Sequence, residues 1–277
     1  MYKRQDQLKA GAYTFRKDMK FSDAEAILVK GPPPIRTVKL VLPEGNTERD
    51  FATAVDKSGK VRGRYMSAVR RARFSPRRYG APAGSRLEGF LFPDTYELRK
   101  GRQATAQNLI DQQLATFRRN IRTVSMRRAR AANLTPYDVL IIASMIEREA
   151  AIARDRPLIA SVIYNRLKQS IPLGIDATIR YADNNWTRPL RVSELQRPGP
   201  YNTRLTQGLP PTPIGNPGLA SIRAAANPAR TRYLYFVVKP GGNGAHAFSS
   251  TYRQFLADQA RYNSARNAAG GRDPSTG

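Results

Sequence analysis

The 277-residue chain contains no cysteine, a single histidine and a single tryptophan. Without thiols there is no disulfide framework and no thiolate metal site, and one histidine without partners makes no metal centre. No metal or other cofactor is therefore expected. Nor is there an apolar run of the length, about 18 residues, that a transmembrane helix needs. The opening residues MYKRQDQLKAGAY carry charge but lack the apolar middle of a secretion signal. Acidic residues are scarce: 21 Asp and Glu face 47 Lys and Arg, a formal net charge of +26. Such an excess favours anionic partners. It is spread along the chain, densest at Arg70–Arg78 and Arg118–Arg130, and no zinc-ligand spacing, RNP-like aromatic block or glycine-clamped phosphate loop accompanies it. No specific nucleic-acid partner is expected, and because a wall or a membrane surface is anionic too, charge alone selects none of them.

The most informative stretch is Leu134–Leu167, LTPYDVLIIASMIEREAAIARDRPLIASVIYNRL. Thr135 as N-cap, Pro136 at the first helical position and Asp138 three residues after the cap are helix-start signals. Leu140, Ile141, Ala143, Ser144, Ala150 and Ala151 then recur at helical spacing around Glu147. A carboxyl group in such an apolar face is disfavoured in its charged form, which suits a general acid working near neutral pH. The same spacing also allows Glu147 and Glu149 to pair with Arg148, Arg154 or Arg156 on a solvated face.

Upstream, Ala12–Arg16 reads as a strand, followed by a short helix with Ser22 and Glu25 as a capping box. Pro32–Pro34 make a stiff break. Arg36–Leu42 alternates as a strand with Val38, Leu40 and Leu42 on one face, and Pro43-Glu44-Gly45 ends it. Asn46 or Thr47 caps a helix with Phe51, Ala54 and Val55 inward. Gly59–Gly84 reads as helix plus loop, and Gln103–Ala132 as one long helix. In Leu87–Leu98, LEGFLFPDTYEL, acids interleave with aromatics, a costly arrangement unless the acids are hydrogen-bonded or used. Beyond Leu167 come IPLGIDATIRY at Ile171–Tyr181, a short helix at Leu190–Leu195, and GPYNTRLTQGLPPTPIGNPG from Gly199. The last is too rich in proline and glycine for regular structure, and long rigid loops of this kind are usually functional. Tyr201 and Asn202 offer it a stacking face and a two-way amide. A helix at Leu219–Ala226 and a hairpin of Tyr233–Val238 with Ala245–Phe248 complete the pattern.

These blocks, ASMIEREA with VIYNRL, LEGFLFPDTYEL, the Asp176 segment, PYNT…GLPP…NPG and the HAFSSTY segment around His246, occur in the order in which they occur in the endolytic murein transglycosylase, or YceG-like, family. The resemblance runs from about Leu8 to Tyr252. Departures are Gly174 and Ala177 where the family often has glutamine and proline, Gly199 for serine and Arg204 for an aromatic residue. The resemblance implies an α+β fold: a partial LysM-like subdomain over residues 1–36, a YceG-like catalytic domain over 37–262 and a disordered tail over 263–277. It implies that Glu147, the first glutamate of its motif, is the catalytic acid/base, with Glu88, Asn165, Asp176, Tyr201 and Asn202 binding or orienting the substrate. For Asp176 the simpler role of fixing a turn stays open, as does backbone binding for Glu88. His246 is expected to be structural or to line the cleft.

The activity so implied is that of a lytic transglycosylase, a lyase cutting nascent peptidoglycan strands between N-acetylmuramic acid and N-acetylglucosamine and leaving 1,6-anhydro ends. Ordinary glycosidases need two carboxylates. Here one suffices, because the substrate's own C6 hydroxyl attacks the anomeric carbon. The implied partners are peptidoglycan glycan strands and the penicillin-binding proteins of the synthesis machinery. The implied location is the inner membrane, with the catalytic part facing outward and an anchor ahead of the residues present here. The competing readings are a muramidase-type hydrolase with Asp176 or Glu88 as second carboxylate, a non-catalytic wall-binding module in which Glu147 is a structural ion pair, and a nucleic-acid binder resting on charge alone.

Overall fold

The structure, a computed structural model, describes residues 8–32 and 36–271. The elements in chain order are α1 (Phe21–Lys30), β1 (Thr37–Leu42), α2 (Glu48–Ser58), α3 (Tyr65–Arg71), β2 (Asp94–Arg99), α4 (Ala106–Ile121), α5 (Arg127–Ala131) and α6 (Pro136–Glu149). They continue with α7 (Arg156–Lys168), α8 (Asp176–Ala182), α9 (Val192–Gln196), α10 (Leu219–Ala226), β3 (Tyr235–Val238), β4 (His246–Ser249) and α11 (Tyr252–Ala268). Short 3-10 turns occupy Pro76–Tyr79 and Ala153–Asp155. Among the described residues helices and two small antiparallel sheets share one core, an α+β fold.

The core is built on α6. Thr135 caps it by accepting from the Asp138 N–H, while the Asp138 carboxylate accepts from the Thr135 N–H at 2.8 Å, the reciprocal box expected from those residues. Val139, Leu140, Ile142, Met145 and Ile146 are all fully enclosed, each worth about 1.5–3 kcal/mol of burial. α10, α7 and α8 pack against this helix. β1 pairs with β2 in the register Leu40↔Tyr96 and Leu42↔Asp94, and Leu40, Leu42, Tyr96 and Leu98 face the core while Val41 points to solvent. β3 and β4 form the second hairpin.

Several expectations are corrected. Residues 12–16 form no strand, because among the described residues no neighbouring strand offers them a ladder. α1 begins at Phe21 with Lys20 at its N-cap and no side-chain cap, so Ser22 lies inside the first turn. Pro33 and Pro34 of the expected break lie outside the described residues. Thr47 caps α2 with Asp50 as its box partner, and Ala52, not Ala54, joins Phe51 and Val55 inside. The long helix expected over 103–132 is two: α4 stops at Ile121, where Thr123 returns its hydroxyl to the Asn120 carbonyl at 2.8 Å and Val124 and Ser125 disfavour continuation. α11 runs to Ala268, so residues 263–268 are helical rather than tail, and 272–277 lie outside the described residues. Neither α1 nor α11 buries a residue.

Candidate active site

The proline-rich loop before α10 is stitched to the β1–α2 turn and to the Leu87–Pro93 segment through one side chain. Asn216 Oδ1 accepts from the Gly89 and Leu91 N–H groups at 2.9 and 3.1 Å, and its Nδ2 donates to the Asn46 carbonyl and to Glu88 Oε1 at 3.0 and 2.9 Å. All four hydrogen-bonding positions of the amide are used. The backbone adds Gly45 N–H to Asn216 O and Asn216 N–H to Asn46 O, at 2.8 and 2.9 Å. Gly215 is needed here because a Cβ would stand 2.4 Å from the Gly45 carbonyl oxygen.

Glu88 is sealed in this junction. Its carboxyl accepts from the Glu48 N–H at 3.0 Å, from Asn216 and from the Tyr181 hydroxyl at 3.2 Å. Burial, then the neighbouring Glu48, pushes its pKa up to about 8. The Tyr181 ring meets the Tyr201 ring at 5.4 Å, and the Tyr201 hydroxyl shares a hydrogen bond with Thr212. Asn202, buried, donates to the Leu195 and Arg197 carbonyls and braces its own loop. Asn165 donates to the Thr231 and Tyr233 carbonyls and borders a separate cavity of about 850 Å³ beside α7. Glu88, Tyr201, Asn202 and Asn165 are thus engaged in holding their own surroundings together.

Glu147 and Glu149 both end α6 but face different surroundings. The Glu147 side chain is 7% exposed, accepts from the Gly218 N–H at 2.9 Å and lies 3.4 Å from the Arg156 guanidinium, whose Nε donates to Ser221. A carboxylate on the first N–H groups of α10 is favoured there by the helix dipole. A fourth group stands close by: a Cβ on Gly218 would meet the Glu44 carboxylate at 1.9 Å. Burial and then the charge of Glu147 raise the Glu44 pKa. From residue order alone Glu44 stands out only as part of a strand-ending turn.

Glu149 faces an open cavity of about 480 Å³ that it shares with Arg166, Gly174, Asp176, Arg204, Phe236 and His246. Among the described residues neither a hydrogen bond nor an ion pair holds its carboxyl group. Burial first, then Asp176, raises its pKa to about 7, against a smaller opposing effect of Arg180. Asp176 opens α8 and is gripped by Arg204 through both oxygens, at 2.6 and 3.1 Å. Arg166 is fixed by the Leu234, Pro172 and Leu173 carbonyls. His246 is fixed by Asp155, which accepts from its backbone N–H at 2.7 Å and stands 3.0 Å from Nδ1. The other charged groups around the cavity are thus held by hydrogen bonds, and Glu149 is the acid among them that has no such partner and whose pKa burial raises. Of the residues expected from sequence the cavity gathers Asp176 and His246, and it leaves Glu147, Glu88, Asn165, Tyr201 and Asn202 elsewhere. Glu149 was visible only as a possible surface ion pair. Both glutamates extend buried stripes of α6, so periodicity could not choose between them.

The chain is 31% identical over 267 residues to an endolytic murein transglycosylase of Streptococcus pneumoniae, an alignment covering 85% of this chain and 47% of that protein. It is 35% identical over 181 residues to one of Bacillus subtilis, covering 65% and 49%. It spans about half the length of these relatives. The crystal structure of a putative YceG-like protein of Listeria monocytogenes superposes with a TM-score of 0.65 at 29% identity, over 91% of this chain and 85% of that one. The YceG-like family profile matches residues 1–261, and the chain belongs to the YceG-like family.

Proposed function

We propose that the chain is a peptidoglycan lytic transglycosylase and that Glu149 is its acid/base. The observation that carries this is the unengaged Glu149 carboxyl, with a pKa near 7, opening on a rigid polar cavity. As an acid, Glu149 protonates the glycosidic oxygen between N-acetylmuramic acid and N-acetylglucosamine. As the bond breaks, the C6 hydroxyl of the muramic residue attacks the anomeric carbon. The carboxylate then takes the proton of that hydroxyl, closing the 1,6-anhydro ring and restoring the enzyme. No enzyme nucleophile and no activated water is used. Asp176, held by Arg204, is close enough to act on Glu149 electrostatically and keeps it protonated. For a hydrolase, Asp176 would have to leave Arg204 and activate water, whereas its paired geometry suits support of positive charge at the sugar.

Glu147, the acid implied by the family resemblance, has its two oxygens occupied by Gly218 and Arg156, which supports a positioning role at the junction of α6, α7 and α10. Glu88, Tyr201, Asn202 and Asn165 likewise serve by holding the walls. The resemblance extends the proposal to nascent strands as substrate, to penicillin-binding proteins as partners, and to an outward-facing position tethered at the inner membrane. Among the described residues no helix is long and apolar enough to cross a membrane.

The test is mass spectrometry of fragments released from purified peptidoglycan by the wild type, Glu149→Gln and Glu147→Gln. Anhydro-ended fragments from the wild type and from Glu147→Gln, with none from Glu149→Gln, are expected. Loss in Glu147→Gln alone, with that variant folded, would return the acid role to Glu147. Reducing ends would make the enzyme a hydrolase.

A further inference from the structure

A cavity of about 410 Å³ lies between the segment after α3 and the outer face of α4, lined by Arg73, Phe74, Ser75, Arg78, Tyr79, Arg118 and Arg122. It shares no residue with the Glu149 cavity. It sits near the beginning of α6, where Gly80 packs on Thr135, while Glu149 closes the other end, about 20 Å away along a 14-residue helix. Arg118 lies in the last turn of α4 and Arg122, four residues on, is its C-cap residue with helical backbone angles, so the two project from one side. Arg73 and Arg78 approach from the other wall. Among the described residues no carboxylate pairs with any of the four, and none of their side chains donates a hydrogen bond to another protein group. The floor is rigid: the Phe74 and Tyr79 rings stack at 5.7 Å and 7°, Phe74 meets the buried Phe117, and the Arg118 guanidinium lies 5.1 Å over Phe74.

Four unpaired guanidinium groups around one cavity repel each other. An anion in the centre removes that cost. The number of donors indicates its kind. Each guanidinium offers a planar fork of N–H groups, far more in total than the two oxygens of a single carboxylate accept. A phosphate presents more oxygens and up to two charges, and bidentate arginine contacts suit it. We propose that Arg73, Arg78, Arg118 and Arg122 form a binding site for a phosphate-bearing anion, seated against the Phe74–Tyr79 pair. The cavity is roomier than one phosphate needs and fits a pyrophosphate or a phospholipid headgroup, which share this chemistry. The site is independent of the glycan reaction.

The experiment titrates the full chain with inorganic pyrophosphate by calorimetry and, separately, sediments it with vesicles of phosphatidylglycerol or of phosphatidylcholine. The wild type is compared with an Arg78→Gln, Arg118→Gln, Arg122→Gln triple variant and with a control, Arg36→Gln, Arg99→Gln, Arg253→Gln, that removes equal charge elsewhere. Saturable binding with one pyrophosphate per chain is expected, weakened at least about tenfold in the site variant and little in the control. Capture by phosphatidylglycerol that depends on the same three arginines would identify a headgroup as the source, and pyrophosphate binding without vesicle capture a free anion. Equal loss in both variants, or non-saturating uptake by the wild type, would overturn the proposal and leave a diffuse charge effect. If the triple variant fails to fold, Arg118→Ala and Arg122→Ala singly give the same comparison, and unchanged affinity in both overturns it as well.

Discussion

At the scale of single residues, the two glutamates that end α6 are chemically alike and differ only in what meets them. Glu147 is occupied by Gly218 and Arg156, while the Glu149 side chain, without a hydrogen-bond or ion-pair partner among the described residues, borders a cavity. Glu149→Gln should lower the release of anhydro fragments by at least about 10²-fold, the usual scale of a general acid, and Glu147→Gln by less than about tenfold. Because the first step needs Glu149 protonated, kcat/KM should fall as pH rises through about 7, read from initial rates across pH 5–9. A flat profile there would sink the assignment. Glu88 makes a different prediction. Its folded pKa of about 8 stands above the unfolded value near 4.5. Between these the folded chain keeps a proton that the unfolded chain has released, so this group's contribution favours folding most below pH 4.5 and is lost as pH rises towards 8. Glu88→Gln should therefore flatten the fall in unfolding free energy between pH 5 and 8, by an amount on the order of a few kcal/mol. Urea denaturation of both proteins at the two pH values checks it.

At the scale of elements, the site depends on loops being pinned to helices. Asn216→Ala would leave the Gly89 and Leu91 N–H groups without an acceptor in a buried junction, at about 1–3 kcal/mol for each unsatisfied group. Thermal unfolding should show a large loss of stability, and activity should fall at temperatures where the variant stays folded, because the same loop carries Gly218. Thr135→Ala removes one half of the α6 capping box and should cost about 1 kcal/mol without touching the cavity. Activity per folded molecule should then be unchanged, a contrast that separates stability from chemistry. The α6 cap, the alternation of β1 and the hairpin after α10 were legible because each is encoded by residues within a few positions of one another. The division of α4 from α5 was missed because Thr123, Val124 and Ser125 interrupt a pattern whose apolar spacing continues across them.

For the whole molecule, a net charge of +26 makes the folded state repel itself. Salt screens that repulsion, so the melting temperature at pH 7 should rise by a few degrees between about 10 and 150 mM salt. Scanning calorimetry in a chloride buffer, with no phosphate present, reads the effect. The charge is unevenly matched: Arg204, Arg156 and Arg86 have carboxylate partners, whereas the four arginines around Phe74 have none among the described residues. Net charge alone could not reveal that difference.

The sequence by itself determined the family, the α+β class, the start of α6 and the place of the Glu147–Glu149 motif at its end, because these rest on residue order and on local hydrogen bonds. It could not decide which glutamate of that motif is free. The groups that occupy Glu147 come from Arg156 and Gly218, and the neighbours of Glu149 come from α8 and the β-hairpin. A carboxyl group's protonation depends on burial and on charges within a few ångströms, and only the tertiary structure brings those distant segments to it.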